Sequence, residues 1–387
     1  MAKQVHRVAL VSEGYPGWFL LQAFQGIIRW THAYGSWELA THQGNPAVPA
    51  EIAARLPIDG AIGQISGALE AELSAAGIPS VNLHYDYHQQ ALSVVEDAPA
   101  VGETAASFFL DRGFEKLAVV DYAAAPLFID RAAAFKARLK RSGLTPAEIP
   151  VRMQQEISGW GSFDVQIPPD LLSEKEKPIG IFTLDDRLAV VLEDLFRQNG
   201  TSVPESVAIL GVHNIPYLCE LREPMLSSID IDAERIGAAA AGLLDRRLNG
   251  NETAATTTYV PPLGIVERQS TDTCAVNDEH VRQALRFIRE HATEAIHVPD
   301  ILSVVPLSRR SLEYKFRRSV GRSILSEILR IRLQRARLLL EKTDRAMPDV
   351  ARESGFNSQA GFITAFRRAH DCSPNEHRAH YRRLTQV

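Results

Sequence analysis

The sequence predicts two doubly wound α/β lobes followed by an all-α part with two helix-turn-helix motifs. Three observations carry this reading. Short apolar runs alternate with amphipathic stretches from residue 5 to about 265. The charge splits along the chain, and the basic end contains a repeat about 50 residues long. At 387 residues, 45% apolar and 23% charged, the composition is that of a folded chain of two to three domains and excludes disorder, collagen and coiled coil as the main theme.

The α/β rhythm begins with a strand over Val5 to Val11 and a helix over Leu20 to Tyr34 that places Leu20, Phe24, Ile27 and Ile28 on one side. Further strands are predicted at Gly60 to Gly63, Ser80 to Leu83, Leu117 to Val120, Ile179 to Phe182 and Val207 to Gly211. Helical spacing marks Ala100 to Arg112, Arg131 to Ser142, Leu188 to Asn199 and Ala233 to Leu248. Two of these helices stop at Gly113 and Gly143. The turn at Gly250, the threonines 256–258 and the pair Pro261-Pro262 close the α/β part. The polar stretch Gln269 to Val276 reads as a short flexible linker. The resulting division is 1–270 for the two lobes, 271–277 for the linker and 278–387 for the helical part.

Residues 278–387 hold 21 Lys and Arg against 13 Asp and Glu, about +8, which leaves about −13 on the rest. A basic end suits a polyanionic partner, although a solvated Arg-rich helical face gives the same count. The repeat decides between them. Val298-Pro299-Asp300-Ile301 aligns with Met347-Pro348-Asp349-Val350, and Leu312 to Arg318 aligns with Phe362 to Arg368. Each copy, at about 298–318 and 347–369, is a helix opened by Pro, a turn, a Ser able to cap (Ser308, Ser358) and a second helix. The pairs Leu312/Phe316 and Phe362/Phe366 must face inward, which turns Arg309, Arg310, Glu313 and Arg317 outward in one copy. In the other copy Gln359, Ala360, Ile363, Thr364 and Arg367 turn outward, with Ser358 at the helix start. Arg reads guanine, Gln reads adenine and apolar groups meet the thymine methyl, so these helices are candidate DNA major-groove readers.

This end resembles the AraC/XylS transcription regulators over about the last 110 residues. The likeness is carried by Asp300-Ile301, Ser308 to Leu312, Phe316, Arg332-Leu333, Ala336, Leu339-Leu340, Val350-Ala351, Gly355-Phe356, Ser358-Gln359, Phe362, Phe366 to Arg368 and Ser373-Pro374. Pro306, Gly361 and His377 depart from the usual pattern. The α/β part is similar to the LacI/GalR and periplasmic sugar-binding fold. That likeness rests on the opening strand to Ser12, on Asp97 with Gly102 to Ala106 and Gly113, and on Asp130-Arg131 with Phe135. It continues through Ile181 to Arg187, Val203 to Val212 and Leu226 to Ile229.

Together the two likenesses imply a periplasmic-binding-protein-like sensor joined to an AraC-type DNA-binding part: a regulator, expected to be an activator of sugar catabolic genes. Its implied partners are a double-stranded DNA operator, a small-molecule effector of the pentose class such as D-xylose, RNA polymerase and a second copy of the chain. The family alignment implies ligand contacts from Arg131 and Asp185, with Glu13, Asp97 and Asn214 beside them and Trp18 or Trp160 stacking. The chemistry suits a polyol, whose hydroxyls both donate and accept while its C–H patch takes an aromatic face. A plainer reading has Asp185 or Asp186 capping the next helix, Arg131 paired with Asp130, and either Trp in the core. His213, in Gly211-Val212-His213-Asn214, stands where the family often has Asp, and points to an effector other than xylose.

Other classes fit less well. Ser12 to Gly17 lacks a dinucleotide turn, and no Walker, nucleophile-elbow or H-E-x-x-H motif appears, so neither an enzyme nor a cofactor is expected. Cys219, Cys274 and Cys372 are far apart, and His84 with His88 lacks a third ligand, so no disulfide and no metal is expected. No signal segment and no membrane span is found, which predicts a cytoplasmic protein without membrane contact. RNA-binding aromatic motifs are missing.

Overall fold

The computed structural model describes residues 5–13, 16–34, 37–45, 47–87, 92–122, 125–155, 161–172, 178–250, 257–272, 278–294 and 296–385. The chain divides into two compact units, Met1–Asp272 and Thr273–Val387.

The first unit starts with β1 (His6–Ser12), α1 (Trp18–Tyr34), β2 (Trp37–Ala40), β3 (Ala47–Pro49), α2 (Ala50–Ala53), β4 (Gly60–Gly63), α3 (Gly67–Ala75), β5 (Ser80–Asn82) and β6 (Ser93–Glu96). It then crosses into a second lobe built from α4 (Ala98–Asp111), β7 (Lys116–Asp121), α5 (Pro126–Lys140), β8 (Ala147–Gln155), β9 (Gly161–Val165), α6 (Pro169–Leu172), β10 (Ile179–Phe182), α7 (Asp186–Gln198), β11 (Val207–Val212), α8 (Pro216–Cys219) and β12 (Ser227–Asp230). It returns through α9 (Ala233–Leu248) and β13 (Thr257–Val260), and crosses a third time into β14 (Gly264–Val266).

The first sheet runs β13-β6-β5-β4-β1-β2 with β3 also on β1, and its strands are parallel. The second runs β14-β12-β11-β10-β7-β8-β9 and is antiparallel only at its two ends. Parallel strands covered by helices on both faces need unbroken apolar runs, and this is why β1, β4, β7, β10 and β11 are legible as strands. The crossovers are pinned to one another: Asp97 N–H donates to the Val260 carbonyl (2.8 Å) and Leu263 N–H to the Asp230 carbonyl (2.8 Å). In the second lobe α4 and α5 approach closely at Gly102, where a Cβ would fall 2.1 Å from the Arg131 carbonyl oxygen. Any larger residue there would lift α5, and with it Arg131, away from the sheet.

One expectation is corrected. Gln269–Thr271 does not belong to a flexible linker but forms a short 3-10 turn fastened to the second lobe. Ser270 Oγ donates to the Ile209 carbonyl (2.6 Å) and accepts from Ser227 N–H (2.8 Å). Gln269 Oε1 accepts from Met225 N–H (2.8 Å). These polar side chains bond backbone groups in and beside β11 and β12 rather than water. Residues 273–277, including Cys274, lie outside the described residues.

The second unit consists of α10 (Glu279–His291), α11 (Val298–Leu302), α12 (Arg309–Val320), α13 (Ile324–Lys342), α14 (Met347–Glu353), α15 (Gln359–His370) and α16 (Pro374–Thr385). Among the described residues it has two small cores. Leu312, Phe316 and Val320 pack with α10 and α11 in one, and Phe362 and Phe366 with α14 in the other. The long α13 serves both, giving Ile324 and Ile328 to the first and Leu333, Ala336, Leu339 and Leu340 to the second.

Candidate functional site

In doubly wound sheets ligand groups collect at the carboxyl ends of the strands, and the buried charge of the first unit is concentrated there. Arg131, on α5, is fully buried. Its Nε and Nη2 donate to Glu96 Oε1 (2.8 Å) and Oε2 (2.7 Å) at the end of β6, a two-point bond that spans the lobes. Nη1 donates to the Leu184 carbonyl at the end of β10. Nη2 also lies 3.0 Å from His213 Nε2 at the end of β11. Because a guanidinium can only donate, His213 Nε2 accepts and the ring proton sits on Nδ1. That atom faces Asp185 Oδ2 at 3.4 Å. Arg131, Glu96, His213 and Asp185 thus form one polar cluster.

Asp185 also caps α7, accepting from Arg187 N–H (2.7 Å) and from the Arg187 side chain (3.1 and 3.3 Å). Asp185 therefore caps α7 as the plainer reading expects and at the same time belongs to the cluster. Burial alone would raise the Asp185 carboxyl, but the hydrogen bond from His213 and the charge of Arg187 outweigh it and hold the group well below the usual carboxylate range. The neighbouring Asp186 behaves oppositely. Burial pushes it up to about 6, although Ser228 Oγ and Ile215 N–H donate to it.

Leu184 (φ 67°), His213 (φ 101°) and Asn214 (φ 51°) are non-glycine residues in the left-handed region, which costs roughly 1 to 3 kcal/mol each and is tolerated where the surroundings fix the backbone. All three border the cluster. An aromatic wall stands beside it: the Arg131 guanidinium lies 5.9 Å from the Phe128 ring and that of Arg187 5.7 Å from Phe163, with Tyr122 touching both rings.

The other expected ligand residues fall outside the cluster. Asp97 caps α4, accepting from Ala100 N–H (3.0 Å). Glu13 is exposed at the end of β1, where its N–H donates to Gln64 (2.7 Å). Asn214 is bonded to Asp230 (3.0 Å) and Arg268 (2.8 Å). Trp18 is half-buried and meets Tyr217 of the other lobe edge to face at 5.9 Å. Trp160 and His88 lie outside the described residues. Asp130, the alternative partner for Arg131, accepts instead from the Tyr85 hydroxyl (2.8 Å).

Sequence reasoning missed Glu96, Arg187 and the aromatic wall. The signal for Glu96 was a carboxylate ending the run Ser93-Val94-Val95. The family likeness favours its neighbour Asp97, but consecutive strand residues point to opposite sides. A cavity of about 190 Å³ beside Glu115, Thr145 and Asp170 opens at the amino-terminal ends of β7 and β10, away from this chemistry. Among the described residues no His, Cys, Asp and Glu group could hold a metal ion.

In the second unit Ser308 and Ser358 cap α12 and α15, accepting from Ser311 N–H (3.3 Å) and Gly361 N–H (3.1 Å). Arg309, Arg310, Glu313 and Arg317 are exposed, as are Ser358, Gln359, Ala360, Thr364 and Arg367. Ile363 is the exception, half-buried against the second core. Arg309 Nε is engaged with Glu313 (2.9 Å), and Thr364 Oγ1 donates to the Ala360 carbonyl (3.0 Å). The two turns differ. Gly355 is left-handed (φ 82°) and a Cβ there would lie 2.7 Å from the Ala292 carbonyl, whereas Val305-Pro306-Leu307 has no left-handed residue and so can carry a Pro.

Both units have counterparts among known proteins. Residues 106–271 match the periplasmic binding protein-like domain family and residues 302–380 a helix-turn-helix domain family. The xylose operon regulatory protein of Escherichia coli K12 is 32% identical over 209 residues, 54% of this chain and 53% of that protein. The transcriptional activator RhaS of Enterobacter sp. strain 638 is 32% identical over 100 residues, 26% of this chain and 36% of that protein. The chain thus spans about half or less of the length of these curated relatives. A solved xylose-binding transcription activator, XylR, shares the fold with a TM-score of 0.70 at 23% identity, covering 98% of this chain and 99% of that one. By name these relatives are an operon regulatory protein and two transcription activators. The chain therefore joins a periplasmic-binding-protein-like α/β domain to a helix-turn-helix domain, and about half of it is similar in sequence to the E. coli xylose operon regulatory protein.

Proposed function

We propose that the protein is a ligand-responsive, sequence-specific DNA-binding regulator that activates genes of sugar catabolism, with D-xylose or a related pentose as effector. One observation carries the proposal: a buried polar cluster between two lobes and two capped helices with exposed Arg, Gln and Thr occupy one chain. Arg131, Asp185 and His213 offer donors and acceptors to hydroxyls, and Phe128, Tyr122 and Phe163 cover a C–H face. Glu13, Asp97, Asn214 and Trp18 join only if the lobes rearrange around the ligand.

On the DNA side Arg310, Gln359 and Thr364 read bases, and Arg317 and Arg367 hold phosphates. The ligand acts by binding the DNA-competent arrangement more tightly than the other; equal affinity would shift nothing. A homodimer places two such DNA-binding parts on adjacent half-sites, RNA polymerase is the downstream partner, and the compartment is the cytoplasm. Among the described residues no helix is long and apolar enough to cross a membrane.

A second reading keeps the regulator but changes the effector. His213 reaches both Arg131 and Asp185, and an imidazole there narrows the cleft compared with a carboxylate. A thermal-shift panel separates the two. Ligand at about 100 times its Kd adds about 2.7 kcal/mol to the folded state, a rise of several degrees. A rise with one pentose, followed by a change in DNA affinity in its presence, supports the first reading. A rise only with another sugar class supports the second, and DNA affinity indifferent to every ligand removes the switch.

A further inference from the structure

We propose that Arg268 is the positioning residue through which the state of the cleft is felt where the chain leaves the α/β unit. The inference rests on the cleft reading above and adds to it Arg268, a residue outside the proposed ligand contacts. Arg268 is buried at the end of β14, four residues before the unit ends at Asp272. Its Nη2 donates to Asn214 Oδ1 (2.8 Å), and Asn214 directly follows His213, whose ring touches Arg131 and Asp185. On its other side Arg268 fixes the exit. Nη1 donates to the Leu226 carbonyl (2.9 Å), and its backbone N–H and carbonyl both bond the Ser227 hydroxyl (2.7 and 3.0 Å), to which the Thr271 hydroxyl also donates (2.7 Å). The cleft and the exit segment are therefore joined by one side chain.

Two features suit this path to a switch rather than a static brace. His213 and Asn214 are consecutive non-glycine residues at positive φ, so the loop stores backbone strain that a change of partner can release. Arg268 Nε is buried without a hydrogen-bond partner among the described residues, so this arrangement does not exhaust what the guanidinium can bond. A movement of His213 on ligand binding shifts Asn214, and Arg268 must then follow it or exchange partners. Either response alters the anchoring of Gln269–Thr271.

The test is hydrogen–deuterium exchange on the full chain, following the amides of residues 266–272 in wild type, His213→Asn, Arg268→Gln and the double variant. Asn tolerates the left-handed backbone, so His213→Asn changes the cleft without breaking the loop. We expect it to speed exchange at 268–272 by at least about threefold, and to have no such effect when Arg268→Gln is already present. Should Arg268→Gln melt far below wild type, Arg268→Lys keeps the charge but cannot hold both Leu226 and Asn214, and replaces it in the cycle. A structural role alone makes the two effects additive; additivity, or unchanged exchange at 268–272 in His213→Asn, overturns the proposal. A parallel wild-type arm with D-xylose reads residues 183–185 and 213–214. No protection there defeats the xylose reading, while the role of Arg268 is still decided by the cycle.

Discussion

The two units use their charged side chains in opposite ways. In the α/β unit Arg131, Glu96 and Asp185 are buried, Arg131 bonded directly to Glu96 and linked to Asp185 through His213. In the helical unit Arg310, Arg317 and Arg367 stand in solvent on helices that caps and an apolar face already hold in place. The contrast separates two ways of building a site. A buried cluster fixes its geometry by mutual satisfaction, so damage to it appears first as lost stability. An exposed face keeps its charges for a partner, so damage there appears in binding while folding is barely touched.

The sharpest attempt to break this contrast is Glu96→Ala. It leaves the Arg131 guanidinium fully buried without its carboxylate, and removing one partner of a buried pair costs about 3 to 5 kcal/mol. Urea denaturation of the full chain should show the midpoint of the α/β unit falling, at constant slope, by that free energy divided by the slope. A loss below about 1 kcal/mol would mean that water reaches Arg131 and that the cluster is not a closed one.

Next in size is a pH effect. Asp186 is pushed up to about 6 by burial, so the folded chain holds that proton better than the unfolded chain does. Its contribution to stability is complete below the ordinary value of 3.8 and is lost as pH rises through about 6. Asp186→Asn removes the loss, and the variant should gain on wild type by something on the order of 3 kcal/mol between pH 4 and 7. Asp185 has the opposite sign, since its depressed carboxyl stabilises above the ordinary range and that support goes as pH falls. Glu193, pushed up to about 7 by burial, follows Asp186, so the difference between variant and wild type is the quantity to follow. A difference independent of pH would show that Asp186 is solvated.

The same contrast explains what the sequence made legible. Strands buried on both faces, such as β10 and β11, announce themselves as apolar runs. β2, β3 and β12 to β14 are three or four residues long, and several are polar, so no period can develop in them. The outward faces of α12 and α15 follow from 3.6 residues per turn once Leu312, Phe316, Phe362 and Phe366 are known to be inside. The cleft follows from no such rule. Glu96 and Arg131 are 35 positions apart and meet only in the fold, and the polar run Gln269–Thr271 has the composition of a linker while bonding the backbone of β11 and its neighbours. Composition does not distinguish a polar residue in water from one bonded inside.

On the exposed side, Arg310→Ala or Gln359→Ala should cost about 1 to 3 kcal/mol on cognate DNA and relax base choice at one position. Folding stability should stay within about 0.5 kcal/mol of wild type, as for surface substitutions in general. Fluorescence anisotropy on cognate and random duplexes checks the first, and thermal unfolding the second. Equal losses on both duplexes would assign these side chains to phosphates rather than bases.

The smallest expected effect is the most discriminating. Arg309 and Glu313 form an exposed pair one turn apart on α12, worth about 0.3 to 0.5 kcal/mol to the helix. Removing either one costs folding the same small amount, so stability cannot distinguish the two variants. DNA can, because the partner left behind differs. Glu313→Ala frees the Arg309 guanidinium beside a polyanion, whereas Arg309→Ala leaves a bare carboxylate there. We therefore expect Glu313→Ala to bind random DNA more tightly than wild type and with a steeper salt dependence, by about one unit of slope, and Arg309→Ala to bind more weakly. If the two variants move together, α12 does not present this face to DNA, and the helical unit uses its charge elsewhere.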